Sequence, residues 1–192
     1  MIVQRYLVLC AVLGVLLAGT ARADTPLLAV GDAVPDCELI TEQGRVFHLH
    51  DHRGQALAVT FIFTRCPLAN YCPLMSTHFL AVQRELAKDA SAPNWHLLSL
   101  SFDPAHDTPA TLLGYAKAHG ADARAWTFAT GKPGAVTDFG AAFGLSAYFK
   151  EGLLNHNLRT VVIDARGRVQ HVFKGNEWTP QELVWEMRKA MP

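Results

Sequence analysis

An apolar run that leads through a short loop into an amphipathic helix constrains the fold of this chain more than any other feature. Residues 56–63 are almost entirely apolar, which predicts a strand buried on both faces, as in the centre of a parallel sheet. Apolar side chains then recur at helical spacing across residues 73–87, which predicts a helix with one face on the core. A strand, a loop and a helix in this order indicate an α/β protein.

The alternation of strands and helices continues to the end of the chain. Further strands are predicted at residues 96–102, 126–129, 158–163 and 169–173, and further helices at 111–119 and 179–191. Ahead of this core, a turn at residues 42–45 predicts a β-hairpin within residues 31–49. No linker or repeat interrupts residues 24–192, so we expect one α/β domain with an N-terminal β-hairpin extension.

Composition excludes two classes of protein. Hydrophobic residues make up 50% of the 192-residue chain, and 17 Lys and Arg balance 17 Asp and Glu. Disordered chains combine low hydrophobicity with high net charge, so this chain is expected to fold. Its balanced charge also argues against a strongly basic surface for nucleic acid.

Residues 1–23 have the layout of a cleavable secretory signal. Arg5 precedes an apolar stretch at residues 6–18, and Ala-Arg-Ala at 21–23 resembles a cleavage site. The stretch is shorter than the ~20 residues that a membrane-spanning helix needs, so a membrane anchor is the less favoured alternative. We expect cleavage after Ala23, loss of Cys10 with the signal, and a periplasmic location.

Three cysteines would remain in the exported chain, namely Cys37, Cys66 and Cys72. An odd number in an oxidising compartment leaves at least one free or metal-bound thiol. Cys37 falls in a predicted strand, where we expect a small, partly buried side chain. Cys66 and Cys72 lie in the loop between the first buried strand and its helix, with five residues between them.

The cysteine loop is the strongest candidate for chemistry. A proline follows each cysteine and disfavours the helical conformation before it, so Cys72 is predicted near the helix N-cap with Pro73 at the first helical position. Backbone N–H groups at a helix N-terminus lower the pKa of a thiol, which predicts that Cys72, and Cys66 with it, is reactive or metal-ligating. The alternative is a structural disulfide, although closing so short a loop stabilises little.

His156, just ahead of the strand predicted at 158–163, is the candidate third ligand, although a loop histidine by itself is more often only solvated. With it, the sequence resembles the Sco/SenC family, thioredoxin-like copper proteins linked to cytochrome oxidase assembly. The motifs that carry the resemblance are Gly31-Asp32-x-x-Pro35-Asp36, Gly44, Arg53-Gly54, Phe63-Thr64-x-Cys66-Pro67 with Cys72-Pro73, Phe102-Asp103-Pro104-x-x-Asp107-Thr108-Pro109, Trp126-x-Phe128-x-Thr130-Gly131, and His156 before Val161-Val162-Ile163-Asp164 and Gly167.

The resemblance implies a thioredoxin-like fold, with a central mixed sheet flanked by helices, in which Cys66, Cys72 and His156 bind one copper ion. Two thiolates suit Cu(I), and an added imidazole lets such a site hold Cu(II) as well. The resemblance further implies copper donor and acceptor proteins as partners, with subunit II of cytochrome c oxidase and its copper A centre as the expected acceptor. A thiol reductant would keep the cysteines reduced.

The chain departs from the family pattern in the cysteine spacing. Three residues usually separate the two cysteines, whereas five do here. The wider loop bears on the geometry, affinity and redox potential of the site. This spacing leaves open an alternative function, that of a thiol–disulfide oxidoreductase in which Cys66 and Cys72 form the redox pair. A peroxiredoxin-like enzyme is a weaker form of this alternative, because Phe63 stands where peroxiredoxins carry Thr or Ser.

Three polar residues near these motifs have structural interpretations. We expect Asp103 to end a strand, and Asp107 or the threonine after it to cap the next helix. Arg159 is expected close to the site, where it would hold a thiolate or position the loop.

His48, His50 and His52 occupy alternate positions. An extended segment would place them on one side, where they could hold a second copper ion. The favoured interpretation is a solvated end of a strand.

Overall fold

The computed structural model describes residues 26–89, 94–150 and 153–192. The predicted signal at residues 1–23, including Cys10, lies outside these ranges. Within them, no helix is both long and apolar enough to cross a membrane.

Nine strands and four α-helices are present in the described ranges. The strands are β1 (Glu38–Thr41), β2 (Val46–His48), β3 (Ala56–Ile62), β4 (Trp95–Ser101), β5 (Trp126–Thr130), β6 (Ala147–Lys150), β7 (Leu153–His156), β8 (Arg159–Ile163) and β9 (Val169–Lys174). The helices are α1 (Cys72–Leu86), α2 (Pro109–Ala118), α3 (Ala135–Ala141) and α4 (Pro180–Ala190).

Seven of the strands form a mixed central sheet in the order β2-β1-β5-β4-β3-β8-β9. Strands β3, β4 and β5 are parallel, and the strands on either side of them pair antiparallel. All seven residues of β3 are buried, because this strand has a neighbour on each edge and helices α1 and α4 pack against it. The predicted α/β fold with a central mixed sheet flanked by helices is confirmed.

The predicted N-terminal hairpin is also confirmed and extends the central sheet. Strands β1 and β2 pair antiparallel, and β1 adds to the free edge of β5. At the other end of the chain, α4 begins with a capping box. The Glu182 N–H donates to the Thr179 hydroxyl at 3.3 Å, and the Thr179 N–H donates to the Glu182 carboxylate at 2.7 Å.

Three local features differ from the sequence-based expectations. Helix α3 and the β6–β7 hairpin were not predicted. Helix α1 begins at Cys72, so this cysteine is the first helical residue and Tyr71 is the N-cap.

The extended segment that a second copper site required is absent. A short 3-10 helix at Leu49–His52 follows β2, so the three histidine side chains do not share one face of an extended segment. His48 contacts Asp36, with 2.8 Å between Nδ1 and Oδ2, whereas His52 stacks on His96 with ring centroids 4.5 Å apart. The hypothesis of a second copper site on one side of this segment is therefore wrong.

Candidate metal and thiol site

The two cysteines of the loop and the predicted histidine meet at the carboxyl end of the central strands. Cys66 lies in the loop after β3, Cys72 is the first residue of α1, and His156 is the last residue of β7. The two sulfur atoms and one imidazole nitrogen all lie within 4.8 Å of one another. Cys72 Sγ is 3.9 Å from His156 Nε2, and both thiols are free.

The Nε2 atom of His156 faces the thiols, because the other ring nitrogen, Nδ1, is already hydrogen-bonded. Nδ1 lies 2.9 Å from the carbonyl oxygen of Asn157, which can only accept, so Nδ1 carries the proton. In the neutral ring this leaves the lone pair of Nε2 directed at Cys72, as a metal ligand requires. Phe63, Tyr71 and Phe102 surround the imidazole with ring centroids 5.2–5.5 Å away and fix its orientation.

The two thiols have opposite acidities. A hydrogen bond from the Cys72 thiol, aided by the Cys72 backbone N–H, lowers the pKa of Cys66 to about 5 although burial opposes this. The same contact with Cys66, together with full burial, raises the pKa of Cys72. The pKa of Cys66 is therefore lowered and that of Cys72 raised, although the helix N-terminus favours a low pKa at Cys72. The Cys72 backbone N–H lowers the pKa of both thiols, so the contact between the two sulfurs, together with burial, separates their pKa values.

Two aspartates of the β4–α2 connection hold the start of the cysteine loop. The buried Asp107 carboxylate accepts hydrogen bonds from the Thr64 N–H at 3.0 Å, the Thr64 hydroxyl at 2.5 Å and the Ser101 hydroxyl at 2.5 Å. Asp103 accepts from Arg65 at 2.8 Å. These contacts fix the two residues before Cys66.

The helix cap at this connection is Thr108, which was one of the two predicted caps. Its hydroxyl accepts from the Thr111 N–H at 3.3 Å. Asp107 instead serves the cysteine loop. Burial raises the pKa of Asp103, but hydrogen bonds from Arg65 and His106 outweigh it and hold that pKa below its usual value.

Arg159 does not hold a thiolate. Its guanidinium donates to the carbonyl oxygens of Phe143 at 3.1 Å and Leu158 at 2.7 Å, so it fixes the segment between α3 and β6. Cys37, expected to be partly buried within a strand, is buried and lies just before β1, and burial raises the pKa of its thiol to about 11. Such a thiol is unreactive at neutral pH.

Cys66, Cys72 and His156 form a donor set for a soft or borderline metal ion. In the portion of the chain that the structure describes, they are the one group of three His, Cys, Asp or Glu residues arranged to hold an ion. Sequence reasoning named all three. It missed Asp107 as an anchor of the loop and the aromatic side chains that orient His156. Phe63 and Phe102 are each the last residue of a predicted strand, which was the available signal for these two, whereas no local pattern marks Asp107 in this role.

Comparisons with known proteins agree with this geometry. A SCO1 protein homolog of Bacillus subtilis (strain 168) is 26% identical over 154 residues, which cover 78% of each chain. The structure of Bradyrhizobium japonicum ScoI with copper bound matches with a TM-score of 0.67 at 23% identity, covering 85% of this chain and 100% of that one. A structure of BsSco matches with a TM-score of 0.72 at 24% identity, covering 85% and 96%.

The BsSco structure is described as identifying a disulfide switch in a member of the Sco family of cytochrome c oxidase assembly proteins. At these identities the two structures establish a shared fold. The SCO1/SenC family model matches residues 29–192, which is most of the chain and includes Cys66, Cys72 and His156. The chain belongs to the SCO1/SenC family.

Proposed function

We propose that this protein binds copper through Cys66, Cys72 and His156 and delivers it to the copper A centre of cytochrome c oxidase. The observation that carries the proposal is the convergence of two sulfurs and one imidazole nitrogen within 4.8 Å. Thiolates and imidazole are the ligands that copper prefers in proteins. Membership of the family, and a relative crystallised with copper bound, support the same assignment.

The protonation states define how the site would take up its cargo. Cys66 is ready to bind as a thiolate, His156 offers Nε2, and the Cys72 thiol gives up its proton when the ion binds.

We propose the periplasm as the location, since residues 1–23 resemble a secretory signal that is cleaved after Ala23. Residues 24–192 would then act as a single thioredoxin-like domain. Partners would be a copper donor, subunit II of the oxidase as acceptor, and a thiol reductant. N-terminal sequencing of the exported protein tests the location, and a mature protein beginning at Asp24 is the expected result.

A cellular complementation experiment tests the proposed function. Loss of the protein should lower the copper A content and activity of the oxidase, and the wild-type protein should restore both. Cys66→Ser should not restore them, whereas Cys37→Ser, which removes a buried thiol outside the site, should. Normal copper A content without the protein would contradict the proposal.

The thiol pair supports a second candidate, a thiol–disulfide oxidoreductase. A partly exposed Cys66 thiolate beside a buried Cys72 thiol suits attack on a partner's disulfide. Cys66 would form a mixed disulfide and release one partner thiolate. Cys72, after losing its proton, would displace the second partner thiolate and close a Cys66–Cys72 disulfide, so the partner is reduced by two electrons.

Assays with a thiol substrate distinguish this candidate and its peroxidase form. Catalytic disulfide reduction that is lost in Cys66→Ser would support the oxidoreductase. Phe63 is buried against the His156 ring, with centroids 5.4 Å apart, and offers no hydroxyl to a peroxide. We therefore expect no catalytic consumption of peroxide.

A further inference from the structure

The turn that joins β9 to α4 contacts both segments that carry the proposed copper ligands. The Gly175 N–H donates to the carbonyl oxygen of Leu158 at 3.1 Å, two residues beyond His156. The side-chain amide of Asn176 donates to the carbonyl oxygen of Asn70 at 2.7 Å, two residues before Cys72. Residues 175–176 therefore tie the cysteine loop to the histidine segment.

The middle of the cysteine loop has few other restraints. Leu68 is 48% exposed, and Asn70 is also exposed. Inside the loop, the Tyr71 N–H donates to the Leu68 carbonyl at 3.0 Å. Among the residues that the structure describes, Asn176 supplies the one side-chain hydrogen bond that reaches residues 67–70 from outside the loop. Within the loop, Cys66 Sγ also lies 3.9 Å from the Leu68 carbonyl oxygen, so Asn176 is the single side chain that restrains the middle of the loop from outside.

The turn itself is firmly held and can act as a restraint. Gly175 adopts a φ of +76°, a left-handed conformation that suits glycine. Trp178 is buried and packs on Phe173, with ring centroids 5.3 Å apart, and on His78, with centroids 4.8 Å apart. Asn176 thus projects from an anchored base onto the loop.

We infer that Asn176 is a positioning residue for the metal site, holding the widened cysteine loop so that Cys66 stays within reach of Cys72 and His156. The inference rests on the proposed copper-binding function. A longer loop has more conformations to lose when its thiolates bind an ion. A hydrogen bond already formed in the metal-free protein removes part of that entropic cost before copper arrives.

Two substitutions of Asn176 test the inference against a matched control. Asn176→Ala removes the donor, and Asn176→Asp keeps the shape but places an acceptor against the Asn70 carbonyl. Glu177→Ala is the control, because this neighbouring side chain is exposed and makes no hydrogen bond in the described part of the chain. Asn176→Gln keeps an amide donor and should recover part of the effect.

Two measurements on the reduced protein decide the outcome. Competitive Cu(I) titration should show about three- to tenfold weaker binding for Asn176→Ala and Asn176→Asp, the change expected from losing one hydrogen bond, with no change for Glu177→Ala. In the metal-free protein, amide hydrogen exchange at Tyr71 should accelerate in the same two variants. Faster exchange in both, with weakened copper binding, would support the positioning role.

Different outcomes would contradict the positioning role of Asn176 and the proposed copper-binding function. Copper affinity that is unchanged in both variants, whatever the exchange rate, would overturn the positioning role. Weakened affinity with unchanged exchange at Tyr71 would also overturn it, because the loop would then not be what Asn176 restrains. Absence of copper binding by the wild-type protein would instead contradict the proposed function.

Discussion

At the scale of single residues, the two cysteines of the site differ in burial and in the pKa of their thiols. Cys72 is fully buried, and Cys66 is partly exposed and accepts its hydrogen bond. The contact between the two thiols therefore favours the thiolate form of Cys66 and the neutral form of Cys72. Sequence reasoning assigned the low pKa to the cysteine at the helix N-terminus. It could not show that contact with Cys66 and burial raise the pKa of that cysteine.

Thiol labelling tests the difference in pKa between Cys66 and Cys72. At pH 6 the reduced, metal-free protein should react with iodoacetamide at Cys66 at least about tenfold faster than at Cys72, because the pKa of Cys66 is about 5 and Cys72 is buried. Mass spectrometry of peptides after timed labelling measures both rates. Cys37, whose pKa is about 11, is an internal unreactive control. Faster labelling of Cys72 would show that the assignment is reversed.

At the scale of secondary-structure elements, Asp107 stabilises the fold more than Thr108, the helix cap that sequence patterns predict. Its carboxylate joins the β3–α1 loop to the end of β4 through three hydrogen bonds. Asp107→Ala would leave the partly buried Thr64 N–H and two hydroxyls without their acceptor, so it should lower the free energy of unfolding by about 3 kcal/mol. Thr108→Ala, which removes only the cap of α2, should cost about 1 kcal/mol. Denaturant unfolding of both variants measures the difference, and equal losses would contradict this role of Asp107.

The elements that sequence patterns predicted are those with strong local signals. Strand β3 has a continuous apolar run, and α4 has a capping box at Thr179 and Glu182. Helix α3 was missed because it is only seven residues long and its N-cap, Gly134, has no side chain to cap it. The β6–β7 hairpin forms a separate two-stranded sheet and lacks the long apolar run of a core strand. Asp107 reaches Thr64 only because parallel pairing of β3 and β4 brings their carboxyl ends together, which no local pattern encodes.

At the scale of the whole molecule, we expect stability at low pH to depend on His52 and His96, which lie at the opposite end of the parallel strands from the thiols. His96 is the second residue of β4, at the amino end of the parallel strands, and its ring stacks on that of His52. Burial, with the nearby His52, lowers the pKa of His96 to about 3. Burial also lowers the pKa of His52. The unfolded chain therefore binds more protons than the folded chain below pH 6.5.

The sign of this linkage predicts a loss of stability toward acid. The contribution of His96 is fully present above pH 6.5 and is lost progressively between pH 6.5 and about 3. At pH 5 the free energy of unfolding should fall by about 2 kcal/mol through this group, with a further loss through His52. Urea unfolding of the wild type and His96→Gln at pH 7 and pH 5 measures the effect. We expect a smaller decrease in the variant, and equal decreases would contradict the prediction.

Copper binding by three residues from separate segments is the central claim about the molecule. A competitive Cu(I) titration of the reduced protein, with Cys66→Ser and His156→Ala beside it, tests that claim most directly. His171→Ala, which removes a histidine outside the site, is the control. We predict one tightly bound ion per chain, weakened by on the order of 100-fold or more in each ligand variant and unchanged in the control. Weak binding by the wild type, or binding that does not depend on His156, would contradict the account.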